Sequence, residues 1–165
     1  MKSAAADPIL AERRKEFGEA AIMGVPANGA MVYRAFFSST HITTVREWLG
    51  TARSMHCSAL GKACLSALDD RAPDSEWALL SCQGGTKLAA RGPMELRDRL
   101  VTMRKRGDAT DCNETLDGAT SVAVPARIGG TVGLSGPSSR ISDGRIADFD
   151  DRLMQISVRP GGFCR

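Results

Sequence analysis

Apolar positions along the chain recur with two periods, and the switches between them mark out the elements. In residues 3–17, Ala6, Leu10, Arg13 and Phe17 lie along one side while Glu12, Arg14, Lys15 and Glu16 are solvated. That spacing predicts a helix, with Gly18 as its stop. Two period-two runs, Ala20 to Val25 and Ala30 to Phe36, flank Asn28-Gly29, a strong hairpin signal. From Ile42 to Leu49, Thr43, Val45 and Glu47 alternate with Thr44, Arg46 and Trp48, which predicts a third strand. Leu60, Cys64 and Leu68 then fall at i, i+4, i+8 with Ala63 and Ala67 beside them, a helix with one apolar face and Ser58 as its N-cap.

Further on, Pro73-Asp74-Ser75-Glu76 opens a short helix carrying Trp77 and Leu80, which Gln83-Gly84-Gly85 breaks. Pro93 starts a clearer helix with Leu96, Leu100 and Met103 on one face and Gly107 at its end. Thr120 to Ala126 and Thr131 to Ser135 read as two strands joined at Gly129-Gly130. Ser142 caps a last helix whose inner positions are Ile146, Phe149, Leu153 and Ile156, and Pro160-Gly161-Gly162 ends the order. Hairpin-linked strands with helices grouped between them predict an antiparallel sheet of the α+β class.

A chain of 165 residues, 42% hydrophobic and 25% charged, is long enough for one well-buried core and short for two. No apolar run reaches membrane-spanning length, and the first residues lack a signal-peptide core. A net charge of +3 is mild, and the one dense basic run, Arg104-Lys105-Arg106, falls at a predicted helix end, where cations complement the dipole. Five cysteines with no Cys-x-x-Cys pair predict free thiols in a cytoplasmic protein. The two histidines have no second ligand at matching spacing, so neither a metal nor a cofactor is expected.

The start of the Ser58 helix is the first stretch with chemistry. Its first turn, Ala59-Leu60-Gly61, carries no bulky polar side chain, so its main-chain N–H groups could receive a small carboxylate. An ordinary capped helix is the alternative. His56-Cys57-Ser58 also supplies the residue types of a nucleophile site, but neighbours on an extended strand point to opposite faces, so no catalytic residue is assigned.

Three stretches together carry a resemblance. Arg53-x-x-His56-Cys57-Ser58-Ala59-Leu60-Gly61-Lys62-Ala63 is similar to a signature of the C-terminal effector-binding domain of IclR-type bacterial transcription regulators. Gly107, Asp111, Glu114, Gly118, Ser121, Ala123 and Pro125 match a second family pattern without a gap. Gly133-Leu134-Ser135-Gly136-Pro137-x-x-Arg140 resembles a third. Asp108 replaces the family's aromatic after Gly107, Ser54-Met55 replaces Pro-Leu, and Asn113 replaces the first acid before Glu114.

The resemblance implies a GAF-like (profilin-like) α+β domain with about six antiparallel strands. Residues 1–18 would be the end of an inter-domain linker helix, 19–158 the effector-binding domain and 159–165 a disordered tail. The effector would be a small organic acid held by Ser58, Ala59, Leu60, Asp111, Ser121, Gly133 and Ser135. Two plainer roles remain open: Asp111 as the cap of a turn, and the two serines as strand-to-strand bonds. The implied partners are a second copy in a homodimer or homotetramer, and DNA only through a winged-helix domain for which this chain has no residues. A ligand-free oligomerisation module is the remaining alternative.

Overall fold

The computed structural model describes residues 6–67, 80–126 and 130–156. In chain order the elements are α1 (Ala6–Phe17), β1 (Ala20–Ala27), β2 (Ala30–Phe37), β3 (Ala52–Ser54), α2 (Ala59–Ser66), α3 (Pro93–Arg106), β4 (Ala109–Cys112), β5 (Ala119–Ala126), β6 (Gly130–Pro137) and α4 (Asp143–Leu153), with a 3₁₀ turn at Met154–Ile156. The six strands form one antiparallel sheet in the order β3-β2-β1-β6-β5-β4.

Local signals account for most of the boundaries. Asn28 and Gly29 both take positive φ, at 52° and 75°, the conformation a two-residue hairpin turn demands. Gly18 and Gly107 end α1 and α3 in the left-handed region, each returning its N–H to the helix, to Arg14 and Met103. Pro93 occupies the first turn of α3.

Each face of the sheet has its own core. Leu60, Ala63 and Cys64 of α2 and Leu96, Leu100 and Met103 of α3 pack with Ile22, Met31, Tyr33, Ala109 and Ala123 on one side. Leu10 of α1 and Phe149 and Leu153 of α4 pack with Ala21, Met23, Val122, Val124, Val132 and Leu134 on the other. Each fully buried Leu or Phe contributes about 1.5–3 kcal/mol to this arrangement.

Four sequence expectations change. The alternation from Ile42 to Leu49 does not form a strand; the third strand is the shorter Ala52–Ser54. The edge of β2 is taken from Gly50 onward, whose N–H bonds Tyr33 O while Tyr33 N–H bonds Thr51 O. Residues 38–49 become a strap instead, pinned by Thr40 N and Ser39 Oγ to Gly18 O and by Arg140 Nη2 to Thr43 O. Second, Ala109–Cys112 is a strand that four residues, two of them polar, did not announce. Third, Ser142 is the N-cap of α4 in position only, because its side chain makes no capping bond. Fourth, Ile156 leaves the helix for the 3₁₀ turn. The reading of residues 73–79, the Gly129 joint and the tail at 159–165 lie outside the described residues, as does Leu68.

On α4, Asp150 keeps one carboxylate oxygen buried without a hydrogen-bond partner among the described residues. Burial, and then the neighbouring Asp108, push its carboxyl up from 3.8 to about 6, against the pull of Arg106. Such a group binds its proton more tightly folded than unfolded. Its contribution to stability is therefore full below about pH 4 and lost as pH rises through about 6. Asp150→Asn is expected to melt higher than the parent at pH 7.5 and at nearly the same temperature at pH 4. Thermal melts at the two pH values check this; an equal gap at both would refute it.

Candidate functional site

The turn at residues 55–57 joins β3 to α2, and Ser58 caps the helix as its spacing predicts. The Ser58 hydroxyl accepts Gly61 N–H at 3.2 Å and donates to Ser54 O at 2.8 Å. Every residue of α2 is buried, Ala59 and Leu60 included. The helix lies over β4, β5 and β6, the strands that carry the other predicted residues.

Those residues form an ordered row. Register places Asp111 opposite Ser121, Ser121 opposite Ser135, and Ser135 opposite Ala20. Ala109 and Ala123, two positions along on β4 and β5, lie in the core under α2. The two-residue period therefore turns the Asp111 row toward the same helix. Gly133 belongs to the neighbouring row, opposite Ala123 and Ile22. A Cβ there would meet Val122 O at 2.7 Å, so only glycine fits the sheet at that point.

Both plainer roles foreseen for these groups are present in the geometry. Asp111 Oδ1 accepts the N–H groups of Glu114 and Thr115 at 2.8 and 3.1 Å, capping the turn after β4. Ser121 Oγ donates to Ser135 Oγ at 2.9 Å across the strands. The bonds leave capacity: a carboxylate retains its second oxygen, and two hydroxyls sharing one bond retain a proton and lone pairs. The structure thus brings Asp111, Ser121, Ser135 and Gly133 onto one face beneath α2, while Ser58 is engaged within its own turn.

Sequence reasoning quoted Lys62 and Glu114 without giving them a role, and they are central. Lys62 is fully buried, and its Nζ reaches Glu114 Oε1 at 2.5 Å. Arg99 holds the other oxygen at 3.0 Å and also bonds Glu95 and Leu88 O. Burial raises the Glu114 carboxyl above its ordinary value, and Lys62 offsets part of that rise. This triad ties α2 to α3 and to the turn after Asp111. The available signal was a lysine set among apolar neighbours in a helix; its partner, 52 residues away, had none.

Cys57 is buried, and burial holds its thiol above the ordinary value, so thiolate is scarce at neutral pH. Its sulfur accepts from the Thr115 hydroxyl at 3.6 Å and faces Ser54 O at 3.9 Å. Burial pushes His56 down as well, against the pull of the Gly84 backbone. Cys57, Cys64, Cys82 and Cys112 are all unbridged. Among the described residues no cluster of His, Cys, Asp and Glu could hold a metal, and no helix is long and apolar enough to cross a membrane.

The six-stranded antiparallel sheet with two helices on each face matches the C-terminal domains of IclR-family regulators. The chain belongs to the IclR family: residues 3–159 match the profile described as "Bacterial transcriptional regulator IclR C-terminal". It is 30% identical over 162 residues to the HTH-type transcriptional regulator BhcR of Paracoccus denitrificans, spanning 92% of this chain and 56% of that protein. To the transcriptional repressor IclR of Escherichia coli it is 27% identical over 157 residues, spanning 91% and 57%. The chain thus spans little more than half the length of the relatives it matches. Its fold is similar to that of the Thermotoga maritima IclR crystal structure, with a TM-score of 0.83 at 22% identity over 91% of this chain and 63% of that one. The C-terminal domain of E. coli KdgR superposes with a TM-score of 0.75 at 21% identity, over 92% and 90%.

Proposed function

We propose that this domain is a cytoplasmic sensor that binds a small organic acid beneath α2 and thereby controls DNA binding by a winged-helix domain. The carrying observation is the row Asp111-Ser121-Ser135. It sets three polar groups side by side among the alanine, glycine and apolar side chains that pack beneath α2, a few polar groups in an apolar lining being the usual plan of a small-molecule site. The acceptor at Asp111 and the donors at the two serines would read a hydroxyl or oxo group, and the first turn of α2 would face the acid. On this reading α1 is the end of the helix that connects the two domains. Binding shifts a homodimer–homotetramer equilibrium by preferring one arrangement. The buried, protonated Cys57 supports a binding role over a catalytic one.

The reading is tested by thermal shift and calorimetry with a panel of short-chain hydroxy, oxo and aromatic acids. At least one acid is expected to raise the melting temperature. The Ser121→Ala/Ser135→Ala variant should weaken that acid by about tenfold, one net hydrogen bond being worth about 0.5–1.5 kcal/mol and tenfold about 1.4. No response to any acid, or undiminished binding by the double variant, would reject the proposal.

A further inference from the structure

Outside the row, one cation on the same face is only half used. Arg53 lies on β3 opposite Met31, a fully buried residue of the α2-side core, so its side chain emerges toward that core. A single guanidinium nitrogen, Nη2, holds both oxygens of Glu47, at 2.7 and 2.8 Å. Nε is buried and has no partner among the described residues. An arginine built to clasp a carboxylate for good engages it through two nitrogens in its planar fork. Here Glu47 occupies one and leaves a buried donor unmet.

The surroundings fit a site shared with an incoming acid. Glu47 belongs to the strap at residues 38–49 and borders an open hollow of about 580 Å³, lined also by Phe36, Ile42, Val45, Trp48 and Leu49. The carboxylate therefore has room to swing out. Tyr33 is buried beside Arg53, and burial and then the Glu47 charge hold its hydroxyl above the ordinary value, with a smaller push from Asp111. It thus joins the Arg53 corner electrostatically to the row on β4.

We propose that Arg53 is the charged anchor of the effector's carboxylate, and that Glu47 holds this place as an internal mimic until the effector displaces it. The proposal rests on the sensor reading above and adds two features to it. The acid takes one carboxylate, at Arg53 and Tyr33, because Asp111 repels a second at the far end of the site. Displacing Glu47 also frees the strap that carries it, so ligand occupancy is passed to the neighbouring Trp48.

The experiment compares the parent, Glu47→Gln, Arg53→Met and Arg53→Lys by calorimetry and by the emission of Trp48 in a Trp77→Phe background. The probes are acetate, lactate and 3-hydroxybutyrate, each against its amide. Removing the mimic should tighten acid binding by about tenfold, the factor set by the fraction of time the latch is open. Arg53→Met should lose the acid, Arg53→Lys should retain part of the affinity, and the amides should not bind. The Trp48 signal should move with ligand in the parent and already be shifted in Glu47→Gln. If acids bind the parent but Glu47→Gln binds them no tighter, or folded Arg53→Lys and Arg53→Met bind them as well as the parent, the anchor is wrong and the sensor reading stands. If no acid binds any variant, Glu47→Gln included, both fall.

Discussion

Lys62→Met is expected to lower the melting temperature by roughly 10 °C, because stripping one partner from a buried ion pair costs about 3–5 kcal/mol and each kcal/mol moves a domain of this size by about 2–4 °C. The size follows from where the pair sits. Lys62 is fully buried, and methionine would fill its volume while leaving Glu114 with Arg99 alone on its other oxygen. A carboxylate already held up by burial would then lose its nearest counter-charge. Adding Glu114→Gln should recover a good part of the loss, since it removes the charge that Lys62 was there to balance. Thermal melts of the single and double variants at pH 7.5 decide the matter. A single variant within two or three degrees of the parent would show that the triad is not what ties α2 to α3.

The second large effect is expected at Gly61. A Cβ there would lie 2.5 Å from Met55 O, 2.6 Å from Met55 Cα and 2.8 Å from Ser58 Oγ. Two of these atoms are backbone in the turn carrying His56 and Cys57, so they cannot yield as a flexible side chain would. Gly61→Ala should therefore cost about 1–3 kcal/mol in overpacking and about 1 kcal/mol more as the Ser58 cap is pushed away. Gly144→Ala is the matched control, for nothing lies within 4 Å of its added methyl in α4. That variant should be neutral or stabilising by up to about 1 kcal/mol, as alanine replaces glycine in a helix. Denaturant melts of both separate a packing constraint from a general helix effect; similar behaviour at the two sites would remove the steric argument.

The uneven legibility of the chain has physical causes. The hairpin at Asn28-Gly29, the Ser58 cap, the Pro93 start and the Gly107 stop each depend on chemistry within a few residues, and each stands where the spacing placed it. Ile42 to Leu49 had the alternation of a strand but no neighbour to pair with, since Gly50 and Thr51 already bond Tyr33 on the edge of β2. A two-residue period shows that a strand is possible; an available edge makes it one. For the candidate site, Asp111, Ser121 and Ser135 came from the resemblance to the family's motifs, and their alignment rests on the pairing of β4, β5 and β6. Lys62 with Glu114, and Arg53 with Glu47 and Tyr33, join positions whose meeting depends on the curled sheet and on the strap, and neither is written in any local pattern.

Strand β1 carries a final implication. Ile22 lies in the core under α2, whereas Ala21 and Met23, its immediate neighbours, lie in the core that holds Leu10 of α1. The two compartments are therefore separated by the thickness of one peptide. A change of packing on the α2 side of β1 thus meets the α1 side across a single strand, with no loop between them.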